Sequence, residues 1–332
     1  MRRVTGLLGV LALSLLAGCT DGDAPAADDI RNPTTSSPTT ASSSPATSAS
    51  SPSGSPSQPV RVSFDRNAAM DTVRRLSEDI GTREATSPGF ARAADLVAAA
   101  FEEAGYDARR DTFRVPRGVS WGVPVPVGRS LNVVATPPGF RPGRPHIIVG
   151  AHLDTVPQSP GAVDNASGVA VVLELARLAS AEPPDLPVVL IAFGAEEPRG
   201  PGDDLHHFGS RHYVRTMPAG QRRALVAMVS LDRMGAGRTV RVCTGGLSPL
   251  RVQRDLIAAA GRLDIPAQRC ENRTSDHWPF EKAGQAVARV GGNSYAAYHS
   301  ARDRFAVVRP VQVARVGRLM WEWLRTGGGA SP

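Results

Sequence analysis

From residue 60 onward, short apolar runs alternate with amphipathic stretches, and this alternation limits the possible folds more than any other feature. Runs rich in Val, Ile and Leu predict buried strands over residues 130–136, 146–151, 187–193, 225–231 and 239–243. Apolar residues at helical spacing predict helices over residues 67–80, 90–104, 166–181, 207–216, 249–262 and 310–325. Strands that alternate with helices are typical of a three-layer α/β fold, in which a mostly parallel, twisted sheet is flanked by helices.

The N-terminal segment has the pattern of an export signal. Arg2 and Arg3 precede an apolar stretch that ends in Leu16-Ala17-Gly18-Cys19. Residues 1–18 resemble a bacterial lipoprotein signal peptide, and its removal would leave a lipidated Cys19 as the mature N-terminus. An ordinary signal peptide with an incidental cysteine is the alternative, and it would release the protein. The lipoprotein interpretation predicts a lipid-anchored protein on the extracytoplasmic face of the cell membrane.

Residues 19–59 predict a disordered tether after the lipidated cysteine. From Pro33 to Pro59, 22 of 27 residues are Ser, Thr or Pro, and residues 20–59 contain no aromatic residue. Such a segment cannot bury enough apolar area to offset the entropy lost on ordering. We therefore expect one catalytic domain over residues 60–328, held away from the membrane by this tether.

Charge and cysteine content narrow the possible partners and the compartment. The formal net charge is +7, but the Arg residues are scattered and form no basic run interleaved with aromatic residues, which argues against nucleic-acid binding. Apart from Cys19, the chain contains Cys243 and Cys270. They can form one disulfide in an oxidising compartment, although two buried free thiols fit the sequence as well.

Potential metal ligands stand at the ends of three predicted strands. His152 and Asp154 follow the strand at 146–151, Glu196 and Glu197 follow the strand at 187–193, and Asp232 ends the strand at 225–231. In open α/β sheets, ligands bind beyond the carboxyl ends of the strands. The sequence therefore predicts that these side chains meet at one edge of the sheet.

Asp164 and His299 complete a predicted donor set. Asp164 lies in Gly161–Gly168, just before a helix, where it either caps the helix or bridges two metal ions. The full set is His152, Asp164, Glu197, Asp232 and His299. Two imidazoles and three carboxylates suit two divalent ions that share a carboxylate, and Glu196 is left over as a general base. The remaining histidines are assigned to surface or packing roles; they are His146, His206, His207, His212 and His277.

The order His-x-Asp, Asp-Asn-x-Ser-Gly, Glu-Glu, Asp and Tyr-His resembles the co-catalytic dizinc aminopeptidase family, which includes bacterial leucine aminopeptidases and aminopeptidase Y. The resemblance covers roughly residues 66–326, and its strongest part is the spacing of 12 residues from His152 to Asp164. It implies the zinc exopeptidase fold, which is phosphorylase/hydrolase-like. It also implies a monomer that removes N-terminal residues from peptides.

The resemblance also implies a role for each site residue. One zinc ion would bind His152 and Asp232, the other would bind Glu197 and His299, and Asp164 would bridge them. Glu196 would be the general base, Asp154 would orient His152, and Tyr298 would stabilise the oxyanion. The peptide bond after Asp164 would be cis. Apart from the resemblance, the positive charge of Arg233 directly after Asp232 suggests a substrate pocket biased towards acidic groups. The chain departs from the family after His299, where Ser-Ala-Arg-Asp-Arg replaces the usual Thr and Asp-Thr.

Three other functions share parts of this pattern. Related carboxypeptidases and deacylases insert a dimerisation domain between Glu-Glu and the last His, but here Glu197 to Asp232 is 35 residues and Asp232 to His299 is 67. A glutaminyl cyclase shares the fold but uses one zinc ion and lacks the first His, which is present here as His152. A non-catalytic peptide-binding lipoprotein would be indicated by a lost ligand or a lost Glu196, and all six positions are present.

Overall fold

The computed structural model describes residues 62–247, 249–292 and 294–328. The predicted signal peptide, Cys19 and the tether lie outside the described residues. The helices are α1 (Arg66–Arg74), α2 (Pro88–Glu103), α3 (Ser167–Ala181), α4 (Phe208–Thr216), α5 (Ala219–Ala224), α6 (Arg251–Arg262), α7 (His277–Lys282) and α8 (Pro310–Arg325). The strands are β1 (Asp107–Val115), β2 (Gly118–Ser120), β3 (Val123–Val125), β4 (Gly128–Thr136), β5 (His146–His152), β6 (Val188–Phe193), β7 (Leu225–Asp232), β8 (Val240–Thr244), β9 (Ala267–Glu271) and β10 (Val287–Gly291).

An eight-stranded sheet in the order β1-β4-β6-β5-β7-β10-β8-β9 forms the centre of the described domain. Its middle strands β6, β5, β7 and β10 are all parallel. The antiparallel pairs are β1 with β4, β4 with β6, and β8 with β10. Strands β2 and β3 form a separate hairpin. The predicted α/β fold with a mostly parallel sheet flanked by helices is confirmed.

Alternate residues of the central strands supply two hydrophobic cores, one on each face of the sheet. Ile147 and Val149 of β5 belong to the larger core, together with apolar residues of α2, α3, α6 and α8. Ile148, between them, belongs to the smaller core with Tyr213 of α4 and Phe280 of α7. Successive side chains of a strand point to opposite faces, so a strand covered on both faces must be apolar throughout. Every residue of β5 and β6 is accordingly buried.

The structure contains strands that the sequence pattern did not indicate. β1 contains Asp107, Arg109, Arg110 and Asp111, and most of its residues are exposed or half-buried. It lies at the edge of the sheet, where one face is solvated and an apolar run is not required. The helix predicted over 67–80 is divided into α1 and a wider helical turn, Arg75–Ile80.

A disulfide joins Cys243 and Cys270, whose Cα atoms lie 4.4 Å apart. They are direct partners in the parallel pairing of β8 with β9. The bond therefore ties the last two strands of the sheet together. Among the described residues, no helix is both long enough and apolar enough to cross a membrane.

Candidate metal centre

The five predicted metal ligands lie together at the carboxyl edge of the sheet, with Asp164 in the middle. Asp164 Oδ1 is 3.1 Å from His152 Nε2, and Asp164 Oδ2 is 3.2 Å from His299 Nε2. Each oxygen of this carboxylate therefore faces a different imidazole. Asp164 is only 4% exposed, so the arrangement is shielded from solvent.

The other two carboxylates divide between the same two imidazoles. His152 Nε2 is 3.8 Å from Asp232 Oδ1, and His299 Nε2 is 3.2 Å from Glu197 Oε1. Ligand atoms of His152, Asp164 and Glu197 all lie within 4.8 Å of one another. The grouping is the one that the family resemblance implies. The roles of these residues as metal ligands remain predictions.

Asp303 holds the backbone on which Asp164 sits. Its carboxylate accepts hydrogen bonds from the backbone N–H groups of Val163, at 2.9 Å, and of Asp164, at 3.1 Å. The hydroxyl of Tyr295 donates to the same carboxylate at 2.8 Å. Burial raises the pKa of Asp303 to about 6, while these N–H groups and the Tyr295 hydroxyl act in the opposite direction. The sequence pattern gave no role to Asp303, although it lies four residues after His299.

Asn165 links the Asp164 loop to the end of β7. Its Nδ2 donates to the carbonyl of Leu231 at 2.8 Å, and its Oδ1 accepts from the N–H groups of Gly168 and Arg233, both at 3.1 Å. A Cβ on Gly168 would lie 2.3 Å from Asn165 Oδ1, so this position requires glycine. The Asp164–Asn165 peptide bond is cis, as the resemblance implies.

Arg83 holds the loop between His152 and Asp164 in place through hydrogen bonds to its backbone. It is fully buried, and its side chain donates hydrogen bonds to backbone carbonyls only. The acceptors are Leu76, Gly81, Leu153, Pro160 and Gly161. Burial lowers the pKa of Arg83 to about 10 despite the nearby carboxylates, so it stays charged at neutral pH. No local pattern marked Arg83, which precedes His152 by about seventy residues.

Two arginines balance the charge of Asp232. Arg289 Nε donates to Asp232 Oδ2 at 2.9 Å, and Arg233 Nε lies 3.4 Å from Asp232 Oδ1. Burial alone would raise the pKa of Asp232, but Arg289 and Arg233 outweigh it and hold that pKa well below its usual range. Asp232 Oδ1 is buried and accepts no hydrogen bond from the described residues. This oxygen lies 3.8 Å from His152 Nε2, on the side of the predicted metal site.

Asp154 contacts His152 and also the Glu196–Glu197 segment. His152 Nδ1 lies 3.1 Å from the backbone carbonyl of Asp154, whereas the nearer carboxylate oxygen of Asp154 is 4.0 Å away. That carboxylate accepts the backbone N–H groups of Glu196, at 3.0 Å, and Glu197, at 3.1 Å. With Nδ1–H donating to the carbonyl, Nε2 of His152 presents its lone pair to the site. Asp154 therefore fixes His152 through its backbone and the two glutamates through its side chain.

Glu196 and Glu197 are neighbours in sequence but face different groups. Glu197 contacts His299, whereas Glu196 Oε1 lies 3.4 Å from His207 Nε2. Burial, together with the surrounding carboxylates, raises the pKa of Glu196 to about 8. His207 is only 2% exposed, and among the described residues neither of its ring nitrogens has a hydrogen-bond partner. His207, for which the sequence predicts a surface or packing role, thus lies beside the predicted base.

Aromatic rings cover the His299 side of the site. The ring of Tyr298 stacks on His299, with centroids 3.6 Å apart, and Trp121 meets His299 edge-on at 4.3 Å. Trp121 follows β2 in the separate hairpin and is 53% exposed. These rings leave an apolar wall next to the polar centre, where part of a substrate can pack.

Strained backbone is concentrated around the same centre. The non-glycine residues with φ between 47° and 64° are Trp121, Ala195, His207, Arg233, Asp264 and His299, among the described residues. All but Asp264 belong to the site or flank its residues. A left-handed backbone costs such residues about 1–2 kcal/mol each, and this kind of strain persists where the surrounding structure enforces it, often at functional sites.

The donor set fits a pair of divalent cations. Burial lowers the pKa of His299, but Glu197 and Asp164 outweigh burial and raise it to about 10. Burial and nearby carboxylates raise the pKa of Glu197 to about 7, although His299 acts against them. The protein alone therefore needs protons to offset the carboxylates that it concentrates here. Zinc binds neutral imidazole and carboxylate oxygen and would supply that positive charge instead.

Comparison with known proteins agrees with this geometry. A model of peptidase family M28 matches residues 132–324. Aminopeptidase YwaD of Bacillus subtilis is 34% identical over 143 residues, which are 42% of this chain and 30% of that protein. A probable lipoprotein aminopeptidase of Mycobacterium tuberculosis, LpqL, is 36% identical over 91 residues, which are 27% of this chain and 17% of that one. The chain thus spans less than a third of these two curated relatives.

Solved structures share the fold. A zinc aminopeptidase from Bacillus subtilis, BSAP, superimposes with a TM-score of 0.69 at 19% sequence identity, and the match covers 78% of this chain and 94% of that one. Similarity at this level of identity shows a common fold.

Substitution of Asn165 tests the link between the Asp164 loop and β7. Asn165→Ala removes three hydrogen bonds and leaves two buried N–H groups without an acceptor, so we expect the free energy of unfolding to fall by about 3 kcal/mol. Urea denaturation of the metal-free protein measures this change. Asn67→Ala, at an exposed position of α1, is the control and should change it by less than about 0.5 kcal/mol. Equal effects of the two substitutions would show that Asn165 does not hold the loop.

Proposed function

Because the chain belongs to peptidase family M28, we propose that it is a zinc-dependent aminopeptidase, which hydrolyses N-terminal residues from peptides. The observation that carries the proposal is the position of Asp164, whose two oxygens face His152 and His299 at nearly equal distances. A carboxylate placed in this way is suited to bridge two ions. The aminopeptidase names of relatives such as YwaD support the same reaction.

His152, Asp232 and one oxygen of Asp164 would hold the first zinc ion, and Glu197, His299 and the other oxygen would hold the second. Two such ions act as Lewis acids and lower the pKa of a coordinated water towards neutrality. Arg289 keeps Asp232 ionised and donates a hydrogen bond to Oδ2, so that Oδ1 would be the oxygen that binds the metal. Asp303 and Asn165 keep Asp164 in the position that both halves of the site require.

Glu196 would act as the general base and then as the general acid. It would accept a proton from the attacking water and deliver it to the amine that leaves. Its carboxylate is buried and has His207 as a neighbour, which limits where it can point. Tyr298 would donate its hydroxyl to the oxyanion that develops on the attacked carbonyl. The stacking of its ring on His299 supports this role, because it keeps the side chain beside the centre.

The topology favours an aminopeptidase over the lid-bearing carboxypeptidases and deacylases. Between Glu197 and Asp232 the chain forms α4, α5 and β7, and between Asp232 and His299 it forms β8, α6, β9, α7 and β10. All these strands belong to the one sheet, so the described residues of these two segments supply the core and form no separate domain. His152 contacts both Asp164 and Asp232, which favours a two-ion peptidase over a one-ion glutaminyl cyclase.

We further propose that the protein is a lipoprotein on the extracytoplasmic face of the cell membrane. The Leu16-Ala17-Gly18-Cys19 sequence and the Ser/Thr/Pro-rich segment after it support an anchored, tethered enzyme. The similarity to LpqL, a probable lipoprotein aminopeptidase, supports the same location. Acyl chains on Cys19 would hold the enzyme at the surface, where peptides in the surrounding medium are its substrates.

Zinc content tests the two-ion site. We expect two zinc ions per chain in the wild type, about one in His299→Ala, and less than one in Asp164→Ala, because Asp164 serves both ions. Metal analysis after dialysis gives these values. Asp95→Ala, at an exposed position, should retain the wild-type content. A wild-type content of one ion would contradict the two-ion site and favour the cyclase alternative.

Loss of the Glu196 carboxylate should abolish turnover without loss of metal. Glu196→Gln removes the proton acceptor, so we expect kcat to fall by at least about 10²-fold with unchanged zinc content. The assay follows a free tetrapeptide and its N-acetylated twin by mass spectrometry, with and without a chelator. Only the free peptide should lose its first residue.

Glu103→Gln, an exposed substitution on α2, is the matched control and should be fully active. Full activity of Glu196→Gln would overturn the assigned mechanism. Loss of C-terminal residues would favour a carboxypeptidase. Absence of all cleavage in the zinc-loaded wild type would favour a peptide-binding role.

Lipidation is tested on the protein expressed with its own N-terminus in a bacterial host. Detergent phase separation should place the wild type in the detergent phase and Cys19→Ser in the aqueous phase, because acyl chains dominate partitioning. Mass spectrometry of the N-terminal peptide should show acyl groups on Cys19. Release of an unmodified chain into the medium would instead support an ordinary signal peptide.

A further inference from the structure

A cavity of about 370 Å³ lies beside the candidate metal centre, and arginines dominate its charge. Arg233, Arg241 and Arg289 line it, together with Glu271 and the disulfide between Cys243 and Cys270. In the metal site, Arg233 and Arg289 are partners of Asp232. Arg241 has no part in that site, so the cavity presents a positive surface that the metal ligands do not explain.

Arg233 and Arg289 connect the cavity to the centre of the site. Both contact the carboxylate of Asp232, on opposite oxygens. The guanidinium of Arg233 also lies over the ring of Tyr298, 5.0 Å from its centroid. Asp232 and Tyr298 flank the place proposed for the scissile bond, so two residues that line the cavity also contact residues beside that bond.

Strand pairing places the arginines and the disulfide on one face of the sheet. In the antiparallel pairing of β10 with β8, Arg289 is opposite Cys243 and Gly291 is opposite Arg241. Directly opposed residues project to the same face, so Arg241 and Arg289 point to the same side. A Cβ on Gly291 would lie 2.6 Å from Arg289 Nη1, so glycine at this position leaves room for the guanidinium.

The cavity lining retains an excess of positive charge. The negative charge of Asp232 offsets the positive charge of Arg289. Glu271 forms an ion pair with Arg273 at 3.0 Å, so its negative charge is already balanced. Arg241 has a neutral partner, the Oε1 atom of Gln268 at 3.1 Å, and forms no ion pair within 62–247, 249–292 and 294–328. A carboxylate can accept paired N–H bonds from a guanidinium, which an amide or an alkyl group does less well or not at all.

We infer that this cavity binds the side chain of an acidic N-terminal residue, so that the enzyme prefers peptides that begin with Glu or Asp. The inference rests on the proposed aminopeptidase function and adds its substrate class. Arg241 would contact the carboxylate, and Arg233 would stand between the cavity and the reacting centre.

Kinetic comparison of isosteric substrates tests the preference on the full, zinc-loaded chain in detergent. The substrates are tripeptides that differ only in an N-terminal Glu, Gln or Leu. We expect kcat/KM for the Glu peptide to exceed that for the Gln peptide at least about tenfold. Arg241→Gln should lower this Glu/Gln ratio about tenfold, whereas Arg254→Gln, on the exposed side of α6, should leave it at the wild-type value.

A charge-reversal variant provides a second test, because misfolding would lower activity but would not invert the substrate preference. Arg241→Glu should invert the preference, so that a peptide with N-terminal Lys is cleaved faster than its Glu counterpart. Binding supplies a readout without turnover. Calorimetry on the zinc-loaded Glu196→Gln protein should show tighter binding of the Glu peptide than of the Gln peptide.

The outcomes separate this inference from the function on which it rests. Cleavage of the Leu peptide, with a wild-type Glu/Gln ratio of one or less, would overturn the acidic preference and leave the aminopeptidase proposal intact. A ratio that Arg241→Gln does not change would overturn the role of the cavity. Failure to cleave any of the peptides would overturn the aminopeptidase proposal and this inference with it.

Discussion

The carboxylate of Asp164 between two imidazoles is the contact on which the rest of the site depends. It is buried, and it stands where the ends of β5 and β7 meet the loop that carries His299. A side chain that must face two partners at once tolerates little displacement. The backbone around it is accordingly held by Asp303 on one side and Asn165 on the other, and both side chains are buried.

The concentration of negative charge at this edge explains other features of the domain. Asp154, Asp164, Glu196, Glu197 and Asp232 are all nearly inaccessible to solvent. Burying that many carboxylates is unfavourable unless cations are near. Arg289 supplies one within hydrogen-bond distance of Asp232, and its presence in the otherwise apolar strand β10 follows from that demand. Metal ions would supply the rest, so the metal-free protein should be less stable than the loaded one.

Much of the site could be predicted because of where its residues stand in the chain. His152, Glu196, Glu197 and Asp232 follow apolar strands, and adjacent parallel strands bring their carboxyl ends to one edge. His207, Arg289 and Arg83 were missed, since none of them follows the end of a predicted strand. Asp154 was expected to orient His152, but only the three-dimensional path of the chain shows that its backbone carbonyl is nearer to His152 than its carboxylate is.

The sequence by itself determined the fold class and the candidate ligands, because hydrophobic periodicity and composition are local properties that residue order records directly. The tertiary structure decided the rest. It joined Cys243 to Cys270. It placed Asp303 and Asn165 where they hold the Asp164 loop by hydrogen bonds. It also placed Arg241 beside Arg289 at one cavity. These relations connect residues far apart in the chain, and strand order and register set their distances, which no local pattern specifies.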